Sequence, residues 1–215
     1  MAIRDDFTAG EVLAAADLND TFGAKVNYPS GGADGNALIK SGTSAAWGSA
    51  GGLVHIATES FSAVSSVSLN GVFTSAYANY RLLITAIIAT SRQNLRMRLR
   101  LSGTDSSTNN YFTVQSGYYV NGSLFAVATS GVSSFDLGSL DSSDGRYCAS
   151  YDIHKPQIAE VTSITGGQVG GDNTATMVTQ GGGFQSLTGQ YDGLTIFPAA
   201  NTMTGVIRVY GYQNS

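Results

Sequence analysis

The sequence predicts a mainly β protein: an antiparallel β-sandwich head of jelly-roll type, preceded by a short N-terminal helix and a Gly-rich neck. Three observations carry this expectation. In Leu95-Arg96-Met97-Arg98-Leu99-Arg100-Leu101, apolar and cationic residues alternate without a break, the period of a strand with one face in a core and one in water. As a helix, the same stretch would scatter its guanidinium groups around the circumference and leave no apolar stripe. From Leu53 onward, short apolar runs follow one another with turn-forming clusters between them and no helical interval, as in a two-sheet sandwich. Glycine is abundant at 27 residues, proline is rare at 3, and charged residues make up 12%. That charge is about half the usual share, so Ser, Thr, Asn, Gln and Gly must cover the surface, which suits short strands and tight turns.

Taken in order, residues 1–26 differ in kind from the rest. Thr8-Ala9-Gly10-Glu11 has the spacing of a capping box, and good helix formers follow from Leu13 to Phe22. Asp17 offers an alternative cap for a shorter helix starting at Leu18. Leu13, Leu18, Phe22 and Val26 give this helix an apolar side too small to fold alone. With Phe7 ahead of it, the segment is a candidate anchor that docks on another surface. Residues 27–52 read as a neck, with flexible runs at Ser30–Asn36 and Gly48–Gly52. Between these runs lies the only tryptophan, Trp47, for which a plain linker has no use. A mini-hairpin packing Trp47 on a neighbour is expected there.

Residues 53–215 form the head. The expected strands are Leu53–Glu59, Phe61–Leu69, Tyr80–Ala89, Leu95–Ser102, Tyr111–Val120, Ser123–Thr129, Tyr147–His154, Ile158–Thr165, Ala175–Gln180, Gly183–Leu187, Leu194–Phe197 and Gly205–Tyr212. Asn70-Gly71 and Asn121-Gly122 read as hairpin turns. A turn around Thr90–Asn94 predicts that Tyr80–Ile88 and Leu95–Leu101 pair antiparallel at the centre of the head. Gly166–Gly171 and Gly181–Gly183 read as loops, since no helix follows to aim a dipole at a phosphate.

Composition limits the function classes. A net charge of −4 gives no global field for nucleic acid, so no nucleic-acid role is expected. Residues 1–6 hold no apolar signal core, and no stretch approaches the ~20 apolar residues of a membrane helix. Synthesis and assembly in cytoplasm without membrane insertion are expected. The single cysteine, Cys148, reads as a small buried hydrophobe.

Catalytic signals are thin, and no enzyme is expected. The two histidines are His55 and His154. Asp152 shares a strand face with His154, but no serine is placed to complete a triad. Glu59 and Glu160 are the head's glutamates, joined by scattered aspartates, so a glycosidase's pair of carboxylates is possible but unsupported. Asp141-Ser142-Ser143-Asp144-Gly145 lacks the length and closing Glu of a calcium loop and reads as a turn. No cofactor or metal is expected. Two surface features remain. The Arg96, Arg98 and Arg100 face is a salt-bridged or solvated sheet face, a subunit interface, or an anionic ligand site. Asn109, Asn110, Tyr111, Tyr118 and Tyr119 supply the amides and aromatic rings that sugars need.

Phe7-Thr8-Ala9-Gly10-Glu11-Val12-Leu13-Ala14-Ala15-Ala16-Asp17-Leu18-Asn19 resembles the opening of bacteriophage tail-fibre and tail-associated proteins. Gly35–Gly48, with its Gly-Thr and closing Trp-Gly, is similar to a connector in phage fibres. Gly71–Arg81 and the C-terminal Tyr210-Gly211-Tyr212 resemble parts of β-rich phage appendage heads. The resemblance implies a structural virion protein, a tail fibre or similar appendage, whose head contacts a host-surface receptor such as a glycan. It also implies a homotrimer packed along residues 1–52 and the inner sheets of the heads, with other tail or capsid proteins as partners. The classes carried beside it are a carbohydrate-binding β-sandwich module and a capsid-surface decoration protein.

Overall fold

A computed structural model describes residues 36–41, 44–49, 51–88, 92–140, 147–171 and 176–213. Every regular element among them is a β-strand, and every strand pairing is antiparallel. The expected N-terminal helix, with Phe7, Leu13, Leu18 and Phe22, lies outside the described residues, as does the Asp141–Gly145 turn. The chain divides into two compact units, Met1–Gly51 and Gly52–Ser215.

In the first unit, β1 (Asn36–Ser41) and β2 (Ser44–Ser49) form the expected hairpin, with Leu38 opposite Trp47 and Ile39 opposite Ala46. Leu38, Ile39 and Trp47 all remain exposed.

The second unit contains β3 (Leu53–Val64), β4 (Val67–Leu69), β5 (Asn79–Ile88), β6 (Gln93–Leu101), β7 (Thr104–Asp105), β8 (Tyr111–Tyr119) and β9 (Leu124–Val132). It continues with β10 (Phe135–Leu140), β11 (Tyr147–His154), β12 (Thr162–Gly170), β13 (Met177–Gln185), β14 (Gly193–Pro198) and β15 (Met203–Tyr212). The larger sheet runs β3-β15-β5-β11-β12-β13-β8-β9, and the smaller runs β10-β6-β14-β4 with β7 beside β6. Side chains of both sheets meet in one sandwich-like core. Leu82, Ile84 and Ile207 enter it from the larger sheet, and Leu95, Met97, Leu99, Phe135 and Ile196 from the smaller. Complete burial of a residue such as Leu99 contributes roughly 1.5–3 kcal/mol. Tyr147 and Tyr151 both donate to the Leu137 carbonyl, at 2.9 and 2.8 Å, and so satisfy their buried hydroxyls across the core.

Four expectations are corrected. Strands β5 and β6 do not pair: β5 lies between β15 and β11, and β6 between β14 and β10. Alternation fixes which side of each strand is buried, and that requirement is met equally when the strands face each other across a core. Gly166–Gly170 and Gly181–Gly183 are not loops but the interiors of β12 and β13. The glycines allow close backbone approach; a Cβ at Gly183 would meet the Phe112 carbonyl oxygen. Cys148 is exposed, because the pleat of β11 gives its inward positions to Tyr147, Ala149, Tyr151 and Ile153. Asn121-Gly122 does turn β8 into β9, whereas β4 and β5, on either side of Asn70-Gly71, lie in different sheets.

Candidate functional site

The arginine strand β6 sits inside the smaller sheet, which sends Leu95, Met97 and Leu99 into the core and Arg96, Arg98 and Arg100 outward. The three guanidinium groups meet different surroundings. The Arg100 side chain is 13% exposed and bonded through all three of its nitrogens. It donates to Asn70 Oδ1 at 2.8 Å, Ser68 Oγ at 3.0 Å and Thr195 Oγ1 at 2.7 Å. It also binds the Asp105 carboxylate and the Gly103 carbonyl. Asp105 arrives because Ser102 and Gly103, both at positive φ, turn β6 back into β7. Its other oxygen lies 3.8 Å from Arg98. Arg98 donates from Nε to the Ser133 carbonyl at 3.0 Å and lies over the Phe197 ring, 4.6 Å from its centroid.

Arg96 remains open to solvent. It stands opposite Asp136 in register, but that carboxylate is already committed. One oxygen accepts the Gly138 N–H at 2.8 Å, and the other accepts from Asn94 Nδ2 at 2.6 Å. Arg96 instead borders a hollow of about 320 Å³ lined by Asn109, Thr129, Ser133, Ser134 and Asp136. The Thr129 hydroxyl is buried there without a hydrogen-bond partner among the described residues. A guanidinium and a carboxylate beside an amide and several hydroxyls offer both donors and acceptors to a hydroxyl-rich molecule, and the charge-assisted bonds from Arg are strong and directional.

The expected sugar-contact set does not form one patch. Asn109 and Asn110 precede β8, while Tyr118 and Tyr119 end it, roughly 26 Å away at 3.3 Å per residue. Tyr111 is fully buried, so it belongs to the core and not to a surface. Its hydroxyl accepts the Leu99 N–H at 3.1 Å and donates to the Ser106 carbonyl at 2.7 Å. Asn110 Nδ2 donates to Thr108 Oγ1 at 2.9 Å within its own loop. Tyr118 is exposed, and Tyr119 lies against Phe125 with ring centroids 5.0 Å apart. Of the set, only Asn109 reaches the Arg96 hollow.

On the outer face of the larger sheet, a shallow groove of about 540 Å³ is lined by Leu83, Cys148, Ser150, Val169, Val178, Gln180 and Arg208, among others. Near it, Arg81 grips Asp152 with both nitrogens, at 2.9 and 2.8 Å, and Tyr212 donates to the same carboxylate at 2.6 Å. Partial burial pushes the Asp152 carboxyl upward, but Arg81 and Tyr212 outweigh it and hold it below its ordinary value. His154 Nε2 bonds Thr165 Oγ1 at 3.1 Å, while the Asp152 carboxylate is held by Arg81 and Tyr212. Among the described residues, no three His, Cys, Asp or Glu side chains gather as a metal site.

The partners Asp105, Ser133 and Phe197 were not visible as such in the sequence. The one available signal was the Ser102-Gly103 turn directly after the arginines, followed by an acid. Comparison with family models, curated proteins and solved structures returns no match.

Proposed function

We propose that the chain is a structural protein of a phage virion, a tail fibre or similar appendage, whose head is a jelly-roll sandwich that contacts a host-surface receptor. The observation that carries this reading is the strand order. Removing β7, β8, β9, β12 and β13 leaves sheets β3-β15-β5-β11 and β4-β14-β6-β10. The chain then alternates between these sheets, except for one consecutive pair, β6 to β10, within the smaller. Eight strands wound in this way match the two-Greek-key order of jelly rolls, an architecture of viral capsid and lectin domains. The removed strands are two insertions: β8, β9, β12 and β13 widen the larger sheet, and β7 pairs with β6 in the smaller.

Fold alone does not assign a task. The second support is the resemblance of residues 7–19 and 35–48 to phage fibre openings and connectors. In this reading the protein assembles in the host cytoplasm, joins other tail or capsid proteins through residues 1–26, and forms a homotrimer. The Arg96 hollow is its receptor contact, suited to a hydroxyl-rich surface glycan.

Removal of residues 1–26 tests the division of labour. The expected product keeps β-type circular dichroism and no longer enters particles. Undiminished incorporation would contradict an N-terminal anchor.

A further inference from the structure

The larger sheet ends in β9, which among the described residues is hydrogen-bonded on one side only, to β8. None of its nine residues is buried, although it carries Leu124, Phe125, Val127 and Val132. The cause is a mismatch in width. The smaller sheet's outermost strand β10 packs on β12, β13 and β8, and β9 lies beyond β8. Its inner-facing Val127 is therefore exposed along with its outer-facing Leu124.

Edge strands with free N–H and C=O groups are normally blunted by lysine, proline or a strong bulge. Leu124–Thr129 has neither charge nor proline, and the register shifts only beyond it, toward Gly131. The neighbouring β8, β12 and β13 carry no charged residue either. Across their outer face, Val169, Val178, Tyr118 and Leu124 stand opposite one another in register as one continuous exposed row.

We infer that β9 and the face beside it are covered by a second copy of this chain. Charge selects this occupant. A partner with charges at this surface would strand them against apolar groups and unpaired backbone, at several kcal/mol each. The same uncharged edge on another copy meets no such penalty. Size agrees. Four strands at 4.8 Å spacing and about 30 Å length present roughly 570 Å² on one face, before the edge and inner side of β9 are added; a stable interface takes about 800 Å² per partner. In a closed cyclic assembly, residues nearest the axis meet their own equivalents. Val120, Leu124 and Val127 of one chain then contact the same residues of the next. This rests on the assembly reading above and names the head surface the chains share.

The test is cross-linking of the full chain. Cys148→Ser removes the sole cysteine. Val127→Cys is then compared with Glu59→Cys on β3, the opposite edge of the same sheet. Under mild oxidation, disulfide-linked chain pairs are expected at least tenfold more at position 127 than at 59. Val120→Cys, on the β8–β9 turn, serves as a second probe if Val127→Cys does not fold. Linkage at 127 and 120 no greater than at 59 overturns the proposal, as it would if a segment of the same chain covers β9. Light scattering on the unlinked protein separates the two readings. An oligomer that fails to link overturns the β9 surface alone, whereas a monomer overturns both.

Discussion

Tyr111, on β8 of the larger sheet, accepts the backbone N–H of Leu99, on β6 of the smaller, at 3.1 Å. One hydroxyl thus ties the larger sheet to the arginine strand. Tyr111→Phe keeps the ring but leaves the Leu99 donor and the Ser106 carbonyl unmatched. The expected loss is about 1–3 kcal/mol, read as a lower urea midpoint. Burial pushes the Tyr111 hydroxyl up from 10.0 to about 12. A raised value means that this contribution is intact below pH 10 and is lost as the pH climbs toward 12. The wild type should therefore lose more stability across that window than the Phe variant.

Asp105 holds Arg100 and approaches Arg98, so Asp105→Ala should leave a largely buried guanidinium short of its counter-charge. A loss of about 1–3 kcal/mol is expected. Arg96→Ala, on an exposed side chain, should stay within about 0.5 kcal/mol of wild type. Chemical denaturation of the two variants side by side checks the contrast. Equal losses would show that the arginine face is solvated throughout.

Asp152 is held below its ordinary value by Arg81 and Tyr212 against the opposing effect of burial. A lowered folded value means the unfolded chain binds the proton more readily. The resulting stability is present above about pH 3.9 and is lost as the pH falls below that. Asp152→Asn should be less stable than wild type at pH 7, with the gap narrowing on acidification. Thermal melts at pH 7 and at about pH 3, below the ordinary Asp value, measure it; a constant gap would contradict the ion pair.

Arg96 is the cation of its strand left open to solvent, beside a hollow that holds an unmatched hydroxyl. Arg96→Ala is expected to lower the rate of particle adsorption to host cells by about tenfold, the worth of one charge-assisted hydrogen bond, with normal particle numbers. Normal adsorption would remove the hollow as the receptor contact.

Much of the architecture was legible in the sequence, because a period of two survives wherever one face is buried. Leu95, Met97 and Leu99 announced their strand and the side on which the arginines stand. Pairing was not legible: the same alternation in β5 and β6 fits a hairpin or two facing sheets, and long-range register decides between them. Gly181–Gly183 misled for a related reason. Glycine weakens a strand locally, yet here its missing side chain is what lets β8, β12 and β13 lie close. Strand β10 went unexpected because Asp136 and Gly138 interrupt its apolar run. Gly138 takes a positive φ that pattern alone does not reveal. The candidate site suffered most. Tyr111 and Tyr118 look alike in sequence, and only the pleat of β8 in its sheet puts one in the core and the other in water.

Imaging of purified particles labelled at the head asks whether this chain is a structural virion protein. A tag on the exposed turn at Ser75 attaches the label at a residue that belongs neither to the core, nor to the lining of the Arg96 hollow, nor to β9. The account predicts label at fixed appendage positions, in a constant number per particle and in multiples of three. Particles that carry no label, while the protein accumulates free in the lysate, would contradict it.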